Sequence, residues 1–506
     1  MSMRQHSEER QTDLWIPASV VAKSPGHPFY RRLNRILRQR GFDRHVEGLC
    51  AKFYAEKMGR PGIAPGVYFR MLLVGYFEGL DSERGIAWRC ADSLGLREFL
   101  GFTLAESTPD HSSLSIIRRR LDLATHQEVF RWVLTTLGEA GLLKGRTIGV
   151  DATTLEANAA LRSIVRRDTG ESYTEFLTKL AKASGIEEPQ REDLAKIDKK
   201  RPKKGSNEEW EHPHDPDARI TKMKDGRTHL AHKAEHAVDM ESGAVVAVVL
   251  HKADAGDTQT LTPTLVQAEA NLRGQPGVVQ PLRELVADKG YHSNDTVSGL
   301  HEACVRSYIS EPARGRRNWK GKACERDATY ANRRRIRGER GKWLLRRRGE
   351  LLERPFAHCY NTGGMRRTHL RGHENILKRL LVHVAGCNLG LLMRRIYRFG
   401  TPKGFFERLS SLLQALRGHV HALWDCCQSC GAAGDGLFTA GRSGPVAAAA
   451  WPETEFFNGL LGYSLAYKHA SEISGKSAGD SFEGTDRSVL RVHPAAPGGG
   501  HRPGGR

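Results

Sequence analysis

Arg146-Thr147-Ile148-Gly149-Val150-Asp151-Ala152-Thr153-Thr154 is the stretch on which the reading of this chain turns. Its β-branched residues predict a strand, and that strand carries an acid near its end. Leu282-Arg283-Glu284-Leu285-Val286-Ala287-Asp288 has the same character, a short apolar strand that ends in Asp. His229–Met240 and Ala244–His251 read as two more strands, with Gly243 as the turn between them. Residues 258–272 are helical by pattern, Asn294–Ala303 is a short helix, and Val305–Ser310 is a further strand. Strands and helices in this order predict an α/β chain with a mixed sheet flanked by helices.

Working outward, His27 to Lys144 has helical spacing throughout, most clearly over Tyr68–Phe77 and Ser82–Cys90. Asp110 or Ser112 can cap a helix that runs into Arg118-Arg119-Arg120. Several short helices ending in an arginine-rich one resemble a helix-turn-helix array. Residues 160–226 turn polar and read as an exposed insertion or long loop, with a short helix around Tyr173–Ala183 and a basic run from Lys199 to Lys204. A long helical zone spans Gly349 to Arg398. Four segments are therefore expected. Residues 1–25 form a flexible N-terminus, and 26–144 an all-α, helix-turn-helix-like DNA-binding domain. Residues 145–400 form a domain carrying the insertion at about 160–226 and a basic segment at 314–348. Residues 401–506 form a variable, partly disordered tail.

The chain has 506 residues, 39 % hydrophobic and 27 % charged, enough for a packed core and incompatible with wholesale disorder. No uninterrupted apolar run approaches the ~18 residues of a membrane helix. The start, Met-Ser-Met-Arg-Gln-His, lacks an apolar signal core. A soluble intracellular protein is expected. The net charge of +20 and pI ≈ 9.7 point to an anionic polymer, most simply nucleic acid. Fifteen Lys or Arg against three acids lie between Arg314 and Arg348, twelve charges of that excess. Cys427 and Cys430 have a zinc-like spacing but no second cysteine pair nearby, although His419 and His421 precede them. The cysteines read as reduced thiols.

Aspartates at strand ends line the crevice where ligands sit in open sheets. Two of them on neighbouring strands concentrate negative charge that divalent cations would neutralise. Mg²⁺ prefers carboxylate oxygens, and a pair of ions about 3.5–4 Å apart is the usual device for phosphodiester chemistry. A third carboxylate is needed. Glu353 is the best placed, Glu350 one turn earlier competes with it, and Glu339 sits among arginines that could neutralise it. Taken singly, an Asp at a strand end is most often a turn residue. The pair in basic surroundings carries the chemical reading.

Gly149-Val150-Asp151-Ala152-Thr153, Ala287-Asp288-Lys289-Gly290-Tyr291 and the helical motif Arg348…Glu353-Arg354-Pro355-Phe356, followed by Arg366-Arg367 and Leu370-Arg371-Gly372, resemble the DDE transposases of bacterial insertion sequences. Thr108-Pro109-Asp110-His111-Ser112-Ser113 is similar to the N-terminal domain of the group with an InsH-like helical domain. The resemblance implies an RNase H-like fold after an all-α N-terminal domain. It implies Asp151, Asp288 and Glu353 as catalytic residues and as ligands of two Mg²⁺ ions, with Mn²⁺ as the alternative. It implies metal-dependent cleavage at element ends and 3′-OH strand transfer into target DNA. The partner would be double-stranded DNA, held by a homo-oligomer in the cytoplasm at the nucleoid.

Arg118, Arg119, Arg120, Lys289, Arg333, Arg334, Arg335, Arg366, Arg367 and Arg371 are the expected DNA contacts. Tyr291 reads equally as a packing residue or as a neighbour of the scissile phosphate. Two departures stand out: Ala357 replaces a frequent Gly, and Tyr360 stands where the family often has Lys. Arg366, Arg367 and Arg371 could substitute for that Lys. A DNA-binding relic without catalysis is the alternative. A phosphatase with an Asp nucleophile ranks low, because its second Asp is Thr153 here.

Overall fold

The structure, a computed structural model, describes residues 26–55, 62–103, 105–201, 205–223, 226–313, 315 and 317–434, with side chains as far as Asp425. The expected flexible N-terminus (1–25), the tail from 435, and the side chains of Cys426, Cys427 and Cys430 lie outside the described residues. Residues up to Phe405 form one compact unit, and those from Phe406 belong to a second.

Among the described residues, seven α-helices precede the first strand: α1 (Pro28–Gln39), α2 (Phe42–Cys50), α3 (Pro65–Glu78), α4 (Glu83–Asp92), α5 (Leu94–Leu100), α6 (His111–Arg120) and α7 (Leu123–Glu139). Their starts follow capping chemistry. Ser82 accepts from the Gly85 N–H to open α4, and Asp110 accepts from the Ser113 N–H at 2.8 Å to open α6. Helix α3 is apolar almost all round and is correspondingly buried.

The sheet comprises β1 (Thr147–Glu156), β4 (Arg219–Lys222), β5 (Thr228–Asp239), β6 (Val245–Lys252), β7 (Glu284–Ala287) and β8 (Arg306–Ile309). A separate two-stranded ribbon is made by β2 (Val165–Arg166) and β3 (Trp210–Glu211). The strand order is β4-β5-β1-β7-β8, with β6 also on β5. β5 pairs antiparallel with β1, β4 and β6, whereas β1–β7 and β7–β8 are parallel. Four strands joined by antiparallel ladders (β1, β4, β5 and β6), with β7 and β8 added in parallel beside β1, make the mixed sheet of the expected RNase H-like fold. The turn at Gly243 has φ +79, a backbone region that glycine enters without strain.

The remaining helices are α8 (Tyr173–Ala183), α9 (Arg191–Lys200), α10 (Asp257–Leu272), α11 (Asn294–Glu302), α12 (Ala323–Arg337), α13 (Glu339–Phe356), α14 (His373–Tyr397) and α15 (Pro402–Gly434). Four differences from the sequence reading are informative. The insertion at 160–226, expected to be exposed apart from one short helix, has a buried centre: Trp210 is buried against Tyr173 and Phe176, with Arg166 and Arg201 over the rings, and this makes a small core of its own. The basic segment 314–348 holds α12 and the first half of α13, so helix begins well before the expected start at Gly349. The helical zone 349–398 is interrupted by a π-helical turn at Ala357–Thr362 and an irregular stretch up to Gly372. Helix α15 continues where the sequence logic lapsed, carried by Leu409, Leu412, Leu416 and Val420 at helical spacing.

The seven N-terminal helices share one hydrophobic core with the sheet. The connection runs through α14, which packs on α3 and α7. Gly386 makes room for the Tyr76 ring, and Asp215 and Asp217 accept from the Gly372 and His373 N–H groups at the start of α14. An apolar window within His373–Asp425 is long enough for a membrane span, but 83 % of it is buried inside the protein, as in a core helix.

Candidate active site

Backbone register places the first two acids. Val150 pairs with Ala287 in the parallel β1–β7 ladder, so Asp151 and Asp288 are the next residues on each strand. Paired positions face the same side of a sheet. The ladder stops there on the β7 side, whereas β1 continues to Glu156 against β5. Beyond Asp151 the β7-side edge of β1 stays open until Arg366–Thr368. That segment bonds to Glu156: its N–H donates to the Arg366 carbonyl at 3.0 Å, and its carbonyl accepts from the Thr368 N–H at 2.8 Å. The open edge of β1 thus has Asp288 at one end and Arg366 at the other.

Helix α13 covers the Asp151 face. Leu352 lies against Gly149, where a β-carbon would stand 2.6 Å from Leu352 Cδ1 and from Met240 Sδ, which explains the small residue two before the acid. One turn earlier, Arg348 Nη1 donates to Asp151 Oδ2 at 3.1 Å, and its Nη2 lies 3.8 Å from Asp288 Oδ1. The side chains of Asp151, Asp288 and Arg348 are 30, 50 and 18 % exposed. Burial pushes the Asp151 carboxyl up from its ordinary value. Arg348 and the Ala152 N–H oppose that shift, and the Asp288 and Asp257 carboxylates add to it. The site is thus an excess of negative charge held by one guanidinium.

Behind it lies a buried polar layer that sequence reasoning missed. Tyr291 is buried, and its hydroxyl donates to Glu235 Oε1 at 2.7 Å, so it is not free to meet DNA. Thr260 donates to the same oxygen at 2.8 Å, and Thr264 donates to Oε2. Lys233 donates to Asp257 Oδ1 at 2.6 Å and to Thr260 Oγ1 at 2.9 Å. A β-carbon on Gly290 would stand against Asp257 Oδ2, so glycine here lets the Asp257 carboxylate lie close over the turn. The available signal was the pair Lys233 and Glu235 on one face of an otherwise buried strand.

The third acid is placed differently. Glu353 follows Arg348 by five residues, about 140° round the helix at 100° per residue, and it is exposed. Glu350 accepts from Arg354 at 2.5 Å on the outer face. Among the described residues no group of three His, Cys, Asp or Glu side chains is arranged to hold a metal ion. The donor set nevertheless suits a hard divalent cation, because Asp151 and Asp288 offer neighbouring carboxylate oxygens and a cationic group already lies between them.

Tyr360, at the position of the family's Lys, is buried in the π-helical turn with its hydroxyl 2.5 Å from His236 Nε2. Arg366 comes back over the Tyr360 ring, at 5.8 Å, and donates to Thr153 Oγ1 at 3.2 Å, two residues along β1 from Asp151 and on its face. Arg367 is exposed, 3.7 Å from Glu156, and Arg371 donates to the Asn158 carbonyl at 3.3 Å. Lys289, Arg119, Arg120 and Arg334 are exposed. Arg118, by contrast, is half-buried in an ion pair with Glu83, Arg333 is bidentate to Glu311, and Arg335 donates to Ser307.

Residues 19–120 match the family described as a transposase domain (DUF772), and residues 190–389 match the transposase DDE domain. The chain belongs to the DDE transposases of insertion sequences. The DDE match contains Asp288 and Glu353, while Asp151 precedes it. No curated protein matches the chain. The transposase is therefore an enzyme with an RNase H-like catalytic fold after an N-terminal helical region, and its class implies DNA as partner.

Proposed function

We propose that this transposase cleaves DNA strands at the ends of its element and joins the freed 3′-OH to target DNA, with Asp151, Asp288 and Glu353 as the ligands of divalent cations, Mg²⁺ or Mn²⁺. The observation that carries the reading is that Asp151 and Asp288 each directly follow the last pair of the β1–β7 ladder, Val150–Ala287, with Arg348 against both carboxylates. Bound there, the cations would activate the attacking oxygen and stabilise the leaving one. The protein's part is positioning. Asp151 and Asp288 are held by the strand ladder and by their own following N–H groups, Ala152 at 2.8 Å and Lys289 at 2.7 Å. Glu353 sits next to Leu352 on the helix that packs over β1 beside the aspartates, and completes the set in the working complex.

Arg366 and Arg367 at the far end of the open β1 edge would take strand phosphates, replacing the Lys that Tyr360 displaces. Lys289, Arg119, Arg120, Arg334 and Arg371 would add phosphate contacts, so binding would weaken steeply with salt. Arg118, Arg333 and Arg335 belong to the same basic surface but are engaged within the protein. A homo-oligomer would bring two element ends together, in the cytoplasm at the nucleoid.

The test is a Mg²⁺-dependent cleavage assay on DNA from the element's ends. Asp151→Asn and Asp288→Ala should each abolish cleavage and leave DNA binding intact. The second reading, a DNA-binding relic, is favoured by one observation: α13 turns Arg348, not Glu353, toward the aspartates. Retained DNA binding with no cleavage by the unaltered protein would select it.

A further inference from the structure

Arg348 has no assigned part in the reaction, yet its guanidinium reaches both aspartates. Leu344, Leu351, Leu352 and Pro355 are buried around it on the inner face of α13. Helix packing therefore delivers the guanidinium to the gap between Asp151 Oδ2 and Asp288 Oδ1. A divalent cation shared by these carboxylates would need the same oxygen lone pairs and would meet a like charge at close range. We propose that Arg348 is a resident counter-ion of Asp151 and Asp288, which a divalent cation must displace from both carboxylates in order to bind. The proposal rests on the assignment of those aspartates as cation ligands.

Two consequences follow from the same geometry. With Arg348 in place, the paired carboxylates stay assembled without a metal, since their mutual repulsion is offset. Removing the guanidinium leaves them uncompensated, so the protein is less stable without metal and holds a cation more tightly. A partly buried charge-assisted hydrogen bond of this kind corresponds to about ten- to a hundredfold in the binding constant.

The test uses the full chain and Mn²⁺ alone as probe, with free Mn²⁺ followed by electron paramagnetic resonance. Arg348→Met and Arg348→Gln should bind Mn²⁺ about ten- to a hundredfold more tightly than the unaltered protein. Both variants should melt lower without metal and gain more in Tm when Mn²⁺ is added. Equal or weaker Mn²⁺ binding by both variants overturns the proposal. If the unaltered protein binds Mn²⁺, Asp151→Asn abolishes it, and the Arg348 variants are unchanged, only the counter-ion role falls. If no protein binds Mn²⁺ in a manner that depends on Asp151, the ligand assignment falls with it.

Discussion

The strand-borne acids and the helix-borne acid of this transposase are positioned by different physics. Asp151 and Asp288 are adjacent because a parallel ladder puts Val150 opposite Ala287, and hydrogen-bond register leaves no freedom to slip without turning every side chain to the other face. Glu353 depends on the rotation of α13 about its own axis. That helix carries Pro355 and runs into a π-helical turn at Ala357–Thr362, a device found at functional sites. Its inner face now presents Arg348. Two acids are thus fixed by the backbone, and the third is set by a helix whose facing is a packing choice.

Breaking the strand-borne half should have the largest effect. Asp151→Asn or Asp288→Asn should lower strand cleavage by at least about a thousandfold, because the proposal makes the lost carboxylates direct ligands, while gel-shift affinity for element-end DNA stays within a few-fold. The helix-borne half is sharpened by comparing Glu353→Gln with Glu350→Gln. The first should lose cleavage by about a hundredfold or more if α13 turns in the DNA complex; the second, already paired with Arg354 on the outer face, should stay near the unaltered rate. Equal losses would show that the two glutamates are not distinguished as proposed.

The contact between helix and strand is next. Gly149→Val should cost about 1–3 kcal/mol by forcing Leu352 and Met240 apart, read as a lower denaturation midpoint. Removing the hydroxyl behind Asp288, Tyr291→Phe, should cost about 1–3 kcal/mol by leaving Glu235 one donor short.

Acid should weaken the whole unit. Burial holds His126 at about 4 and both His236 and His383 at about 3, below the 6.5 of an unperturbed side chain. The unfolded chain takes up these protons and the folded one does not. Stability is therefore complete above pH 6.5 and falls as pH drops toward 4. Melting scans should show Tm falling by at least about 5 °C from pH 7 to pH 5. Asp110 and Asp122 add a second loss below pH 4. Hydrogen bonds from Ser113 and Ser112 bring Asp110 to about 2; for Asp122 burial opposes the shift, and bonds from Thr125 and Lys52 overcome it to reach about 2.

How legible the sequence was follows the same division. Local signals were sufficient for the strands: the β-branched run at 147–154 and the apolar run before Asp288 both fold as expected, and Tyr173–Ala183 is helical between the bounds expected from its pattern. The strand at Asp151 runs on to Glu156, however, because β5 extends the pairing that local pattern would end. Long-range packing was not legible. The burial of Trp210 that folds the insertion, the Tyr360–His236 bond and the Tyr291–Glu235 bond each join residues far apart in sequence. The facing of Arg348 is of the same kind, since helical periodicity gives which residues share a face but not which strand that face meets.

The central claim is that Asp151 and Asp288 grip a common cation. Anomalous scattering from crystals soaked in Mn²⁺ tests it most directly. A peak within about 2.0–2.6 Å of carboxylate oxygens from both residues is the predicted result. Ordered, unliganded Asp151 and Asp288 in crystals that bind Mn²⁺ elsewhere would contradict the account.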